Sequence, residues 1–540
     1  MTRREAWLTA GGLFVLALVV RAVVASTIVF PTPEDTAYYY GVARNLVDGH
    51  GLVSNAIWSF GTPPLRFPRD AFEVWLPLPA FLAAGPMLLL GTGFHAAQVG
   101  TVVLGSFVPV LGWRIAADVA EERAMPLGRA RTLAVGTGLT AVVSLPILLH
   151  GVLPDSTTPF TVFALVACLL MVRVARDPRG ARARDGRLLA LGVAFGLAAL
   201  TRNEFLWLGL VWVIVAWRTA GTTRAERVRL IACPAVVGFA ILAPWLIRDW
   251  AVFGNPLPGQ AATNALSVTG FDIFAWQDPP TLARYLAQGP AWLLGSRVDG
   301  FGHNLLDVLL VPGAPVSIVG LVALPWVGRG SALRPLVLLS VLTFAATTLL
   351  FPVATTWGTF LHAAGPVHVL LIIGGLLVLD AVLVRAGRWR GWDKPVAWLA
   401  PTLTVSAAVL FSVGILAYAS QARETERRYA ALPAAMAAAG LPVDPTVPVI
   451  TDFPIWYAEG TGGEALALPD EPPASILDLA HRFGARLLVV TGTEHGIWPA
   501  VLDQGGADTA CFTEVTLPMP ADPDDAAALR DTRVFRVGCP

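Results

Sequence analysis

Pro31-Thr-Pro-Glu34-Asp35-Thr-Ala-Tyr38-Tyr39-Tyr40-Gly-Val-Ala-Arg44-Asn45-Leu-Val-Asp48-Gly49-His50-Gly51-Leu52 is the stretch on which the reading of this chain turns. It follows an apolar run from Trp7 to Phe30, long enough to span a bilayer. Glu34 and Asp35 therefore stand where that run leaves the membrane. Three tyrosines follow, and their amphipathic rings favour the interface. From Thr36 onward, Tyr39, Val42, Ala43 and Leu46 keep helical spacing, and Gly49 can end a helix. The stretch predicts a short helix along the membrane surface with a carboxylate at its N-terminal end.

Composition sets the class. Of 540 residues, 55% are hydrophobic and 14% charged, with mean hydropathy +0.63. Soluble chains average about 25% charged residues, so this is a polytopic membrane protein. A net charge of +0 gives no reason to expect nucleic acid as a partner. The first apolar run is too long for a secretory signal and has no small-residue cleavage site, so it reads as a retained span.

Arginines give the orientation, because basic residues concentrate in cytoplasmic loops. They cluster at Arg3-Arg4; at Arg114, Arg123, Arg129 and Arg131; and at Arg173, Arg176, Arg179, Arg182, Arg184 and Arg187. Further clusters are Arg218 to Arg229, Arg329 with Arg334, and Arg385, Arg388, Arg390 and Lys394. With these inside, apolar runs at 96–117, 132–149, 157–173, 188–201, 204–217, 230–249, 304–327, 335–353, 366–384 and 396–418 join the first as spans. That makes about eleven. Run 74–91 breaks the parity and carries Pro77, Pro79 and Pro86, so it reads as a re-entrant or interfacial part of one long outer loop, 31–95. Runs 188–201 and 204–217 are short and meet at Thr201-Arg202-Asn203-Glu204, charges that at such depth should face each other or a wet cavity.

After residue 420 the pattern changes. Residues 447–452, 485–491, 512–517 and 532–537 read as strands, with a helix near 474–483. The expectation is an all-α membrane domain, 1–420, followed by a small extracytoplasmic α/β domain, 421–540. If the last two strands form a hairpin, Cys511 and Cys539 flank it and come close together, and a disulfide there needs an oxidising compartment. Cys168 and Cys233 fall in spans and read as small apolar residues.

Candidates for chemistry on the outer face are Glu34, Asp35, Arg69-Asp70, Glu73 and Asp155, with basic partners Arg21, Arg202, Arg248 and His362. Singly, each also reads as a cap, a snorkelling side chain or a satisfied interfacial group. Together they put carboxylates and cations from several spans at one level, which suits a base that takes a hydroxyl proton while cations stabilise a departing phosphate. No Walker loop, metal-spaced His or Cys pair, or Gly-x-Ser-x-Gly elbow is present, so a nucleotide-driven pump, zinc protease or serine hydrolase is unsupported.

Asp35-Thr-Ala-Tyr38-Tyr39, Ala43-Arg44-Asn45-Leu46 and Gly49-His-Gly51 resemble the first outer loop of membrane glycosyltransferases of the GT-C class. The likeness is to the family-39-like branch, relatives of protein O-mannosyltransferases and aminoarabinose transferases, and covers most of 1–420. Pro63-Pro64-Leu65, Trp75-Leu-Pro-Leu, Leu153-Pro154-Asp155, Gly196 to Arg202, Pro244-Trp245-Leu-Ile-Arg248 with Phe253-Gly254-Asn255-Pro256, and Gly358-Thr-Phe-Leu-His362 continue it in order. The resemblance implies sugar transfer from a polyprenyl-phosphate donor to a protein, lipid or glycan acceptor, outside the plasma membrane. Asp35 would be the base and Asp155 its assistant, with Glu34 the rival carboxylate because the chain has Glu34-Asp35 where Asp-Glu is common.

On this reading Tyr38, Tyr39 and Arg44 line the substrate site, while Arg202, Arg248 and His362 hold the phosphate. One displacement inverts the anomeric centre, without a covalent intermediate. No cofactor is fixed, although some relatives use a divalent metal ion. Competing classes are a lipid or solute transporter, which would predict a repeat of spans that is not found, and a silent scaffold with an outer binding domain.

Overall fold

In hydrocarbon a backbone can satisfy its polar groups only internally, so apolar runs close into helices. The computed structural model describes residues 2–176, 181–219, 223–259, 261–392, 396–492, 495–506 and 509–539, with the backbone alone of 181–183. Arg179, Lys394 and the side chain of Arg182 lie outside the described residues. Arg3–Ala25 (α1) starts at Thr2, whose hydroxyl accepts from the Glu5 N–H while the Glu5 carboxylate accepts from the Thr2 N–H. Its buried residues Leu13, Ala17, Arg21 and Ala25 stand four apart, whereas Trp7, Val15, Val19 and Val23 are exposed. One stripe packs on the bundle and the remaining faces suit lipid.

Among the described residues, six helices are long and apolar enough to cross a membrane: Arg3–Ala25, Phe94–Glu122, Thr157–Ala175, Arg224–Phe253, Gly365–Trp389 and Leu399–Ala438. Four shorter apolar helices accompany them: Leu78–Leu90, Phe205–Trp217, Val316–Val327 and Arg334–Leu350. Some expected spans are interrupted. Run 304–327 is a π-helix, Asn304–Leu310, then a turn through Pro312, Gly313 and Pro315, then a helix from Val316. Run 132–149 divides at Ser144 into Leu127–Val143 and Leu145–His150, where Pro146 removes a helix donor. Leu78–Leu90 has 13 residues and is about 20 Å long, short of the ~30 Å hydrocarbon layer.

The arginine clusters converge. Asp118 accepts from Arg114 and Arg173, Glu122 pairs with Arg176, and Arg129 pairs with Asp380. In helix Thr157–Ala175, Arg173 is at this end and Thr157 at the other, about 24 Å away along the axis.

Eight short strands follow in chain order: β1 Val53–Ser54, β2 Ala56–Ile57, β3 Arg69–Asp70, β4 Val449–Thr451, β5 Ala465–Ala467, β6 Leu487–Val490, β7 Phe512–Val515 and β8 Arg533–Val537. β1 and β3 form an antiparallel pair. The rest make one sheet in the order β2-β5-β4-β6-β8-β7, with β2, β5, β4 and β6 parallel and β8 and β7 antiparallel. The four strands expected after residue 420 are present, and helix Pro473–Phe483 lies between β5 and β6. β2 and β5 are additional; at two and three residues they are too short to show alternation. Thus the first loop supplies an edge strand to a sheet formed near the end of the chain. A disulfide joins Cys511 and Cys539 beside the open end of the β7–β8 hairpin. Cys168 is buried and Cys233 half-buried, both within helices.

Glu34–Val47 (α2) is the expected helix, beginning two residues before Thr36 and followed by Gly49 at φ +86°. The tyrosines correct the expectation of an interfacial face. Tyr38, Tyr39 and Tyr40 are all buried, because the rest of the first loop and helix Pro454–Thr461 cover α2.

Candidate active site

Successive helix residues point 100° apart, so Glu34 and Asp35 look in different directions. The Glu34 carboxylate accepts from the Ile455 N–H at 3.0 Å and the Trp58 indole N–H at 3.2 Å. Asp35 turns toward the helical bundle, where its Oδ2 lies 3.1 Å from Nε2 of His362. Tyr39, one turn on, shares that side with Asp35, Arg202 and the Ser156 hydroxyl, and burial pushes its phenol above the usual value.

His362 is held from behind, its Nδ1 2.8 Å from the Thr157 hydroxyl. The Thr157 N–H donates to Asp155 Oδ1 at 2.9 Å, and Asp155 Oδ2 lies 2.7 Å from His150 Nδ1. Burial alone would raise the Asp155 carboxyl, but His150, His362 and the Thr157 N–H outweigh it and hold the group below its ordinary range. Arg202 reaches the same place. It makes a two-pronged pair with Glu204 at 3.0 and 2.8 Å, and donates to the Ser156 hydroxyl at 2.8 Å and the Thr359 carbonyl at 3.2 Å. The Arg202-Glu204 juxtaposition seen in the sequence is therefore an ion pair whose cation also touches the Asp155 turn and the His362 segment.

His150, Asp155 and His362 each offer one donor atom within 4.8 Å of the others. Two imidazoles and a carboxylate fit a borderline divalent ion such as zinc.

Three expected substrate residues, Arg44, Arg248 and Tyr38, and the rival carboxylate Glu34 have partners of their own. Arg44 pairs with Glu459 at 2.8 Å and so ties α2 to helix Pro454–Thr461. Arg248 donates to the Ala71 carbonyl at 2.8 Å, pairs with Asp249 at 2.9 Å and lies over the rings of Trp245 and Phe253. These contacts make it a brace for the first loop. The Tyr38 hydroxyl accepts from the Phe72 N–H at 2.6 Å, and Glu34 faces Ile455. Sequence reasoning gave no role to His150, Ser156 or Thr157; His150 five residues before Asp155 was the available signal.

Glu34 carries a pH prediction. Burial raises its carboxyl to about 8, against the opposing pull of the Ile455 and Trp58 N–H groups. The folded protein then holds this proton more tightly than the unfolded chain, so its contribution to stability is complete below the ordinary carboxylate value. It is lost as pH rises through about 8. The thermal midpoint of wild type should fall between pH 5 and pH 8.5, and Glu34→Gln should show a smaller fall. Parallel curves for the two proteins would refute the assignment.

No family model matches the chain, and no curated protein matches it. Solved structures do. ArnT from Cupriavidus metallidurans in the apo state aligns over 99% of this chain and 98% of its own, with TM-score 0.54 and 16% identity. The same protein bound to undecaprenyl phosphate aligns over 97% of each chain, again at TM-score 0.54, with 14% identity. An oligosaccharyltransferase from Archaeoglobus fulgidus, in complex with Zn and sulfate, aligns over 92% of this chain and 71% of its own, with TM-score 0.54 and 12% identity. The chain is a membrane protein with the fold of the GT-C glycosyltransferases.

Proposed function

We propose that the protein transfers a sugar from a polyprenyl-phosphate donor to an acceptor hydroxyl. The carrying observation is the Asp35 carboxylate, fixed by His362 at 3.1 Å beside Arg202 and Asp155, on a fold shared with a protein solved with undecaprenyl phosphate. Asp35 takes the acceptor proton as the oxygen attacks the anomeric carbon. The bond from that carbon to the phosphate oxygen breaks, its electron pair leaves with the phosphate, and the centre inverts. His362 orients Asp35, and Arg202, kept rigid by Glu204, supplies positive charge near the departing phosphate. Asp155, backed by His150, fixes the turn that holds His362 through Thr157.

His150, Asp155 and His362 would hold a divalent ion, and such an ion supplies Lewis-acid stabilisation of phosphate charge when bound. The site lies on the extracytoplasmic side, with the N-terminus inside and residues 421–540 outside, in the plasma membrane. Supporting that side are the arginine-rich opposite end of the bundle and the Cys511–Cys539 bond. The test is mass spectrometry of lipid-linked sugars in cells lacking the protein. One polyprenyl-phosphate sugar should accumulate and fall again on complementation; an unchanged lipid-sugar profile would overturn the proposal.

A further inference from the structure

We propose that Trp357 is the stacking platform for an acceptor sugar, so that the acceptor presents a pyranose ring rather than a polypeptide. This rests on the transferase reading above. Trp357 ends the short turn Ala354–Trp357, and the residue is 51% exposed although it stands five residues before His362.

The neighbours hold the indole without burying it. A Cβ at Gly270 would lie 1.6 Å from the indole nitrogen, so only glycine lets the turn Gly270–Phe274 lie this close. Phe271 and Phe274 meet the indole at 76° and 69°, with centroids 5.1 and 6.0 Å away, which fixes the plane of the ring. This ring leans on a turn fastened to the sheet side, where Glu471 accepts the N–H groups of Trp276, Gln277 and Asp278 and Phe271 packs on His495 at 4.7 Å. That puts the platform on the sheet side of the bundle, the side open to an acceptor arriving from water on the reading above.

The next residue opens onto the reacting groups. Gly358 has φ +112°, and a Cβ there would sit 3.4 Å from Nε2 of His362, the nitrogen that meets Asp35. A side chain at this position would fill the approach to that pair. A ring laid on Trp357 would stand next to this gap, since Gly358 follows Trp357 directly. The chemistry selects a sugar: a pyranose offers a face of weakly positive C–H groups to the negative π face of indole, and its hydroxyls stay at the rim. A serine or threonine side chain has no such face.

The test uses the purified full chain in lipid nanodiscs, with maltotriose, mannotriose and a Ser/Thr peptide as probes, read by saturation-transfer NMR. At least one trisaccharide should show transfer to its ring C–H protons. Trp357→Ala should weaken that binding roughly ten-fold, the loss of one stacked aromatic contact, while Trp357→Phe keeps most of it and both variants melt like wild type. Binding of the peptide alone, no trisaccharide signal, or unchanged binding by Trp357→Ala would overturn the platform. A transfer assay separates the two readings. If trisaccharide binds through Trp357 but no polyprenyl-phosphate sugar is consumed, the transferase reading falls and the platform stands. If Asp35→Asn stops transfer while Trp357→Ala leaves acceptor KM unchanged, the platform falls and the transferase stands.

Discussion

Asp35→Asn is expected to lower turnover by roughly 10²–10⁴, the usual contribution of a positioned acid or base, with donor binding kept. The amide preserves the shape of the side chain and can still meet His362 Nε2, at 3.1 Å from the carboxylate in wild type, but it cannot take the acceptor proton. Glu34→Gln should cost much less, since that group faces Ile455 and Trp58. The measurement is transfer from polyprenyl-phosphate sugar in membranes at matched protein levels. A working Asp35→Asn beside a dead Glu34→Gln would move the base by one residue. Two working variants would remove the first loop from the chemistry.

Arg69→Ala is expected to destabilise the fold by roughly 3–5 kcal/mol, the cost of leaving one member of a buried ion pair alone. Arg69 and Glu73 are 0% and 1% exposed, with 3.2 Å between Nε and Oε1. The guanidinium also donates to the Thr62 and Pro64 carbonyls, so one side chain gathers the turn between β1 and β3. Burial raises the Glu73 carboxyl while Arg69 opposes it, and Oε2 has no hydrogen-bond partner. Without Arg69, Glu73 must take up a proton or stay charged and unpaired. The double replacement Arg69→Met with Glu73→Leu should lose less than Arg69→Ala, because no lone charge is then buried. Detergent-unfolding midpoints check both. An Arg69→Ala protein as stable as wild type would show that solvent reaches the pair.

The helical content and the place of Asp35 were legible because both depend on local pattern: long apolar runs for the spans, and the spacing from Tyr39 to Leu46 for α2. The contact of Asp35 with His362 joins residues more than 300 positions apart; the sequence named both as candidates but carries no sign that they meet. His150 and Thr157 escaped because hydrogen bonds among side chains leave no periodic trace. Arg44 and Arg248 pose a different problem. In sequence an arginine that braces a loop looks the same as one that meets a phosphate, and burial with Glu459 or over Trp245 is what separates them. The tyrosines were misplaced for a related reason. Their preference for an interface holds only while nothing packs over them, and here the rest of the first loop packs over Tyr38 and Tyr40.

The pairing of β2 with β5 sets an order of events during synthesis. Ala56 lies opposite Ala465, and Ile57 opposite Leu466. A ribosome adding ~5–20 residues per second needs on the order of 20–80 s to make the intervening chain. Throughout that interval the loop carrying Asp35 is already made while its partner strand does not yet exist. Newborn molecules therefore pass through an immature period in which the helix carrying Asp35 lacks its final support. A chain stopped before residue 465 could insert its helices and still never give that helix its support.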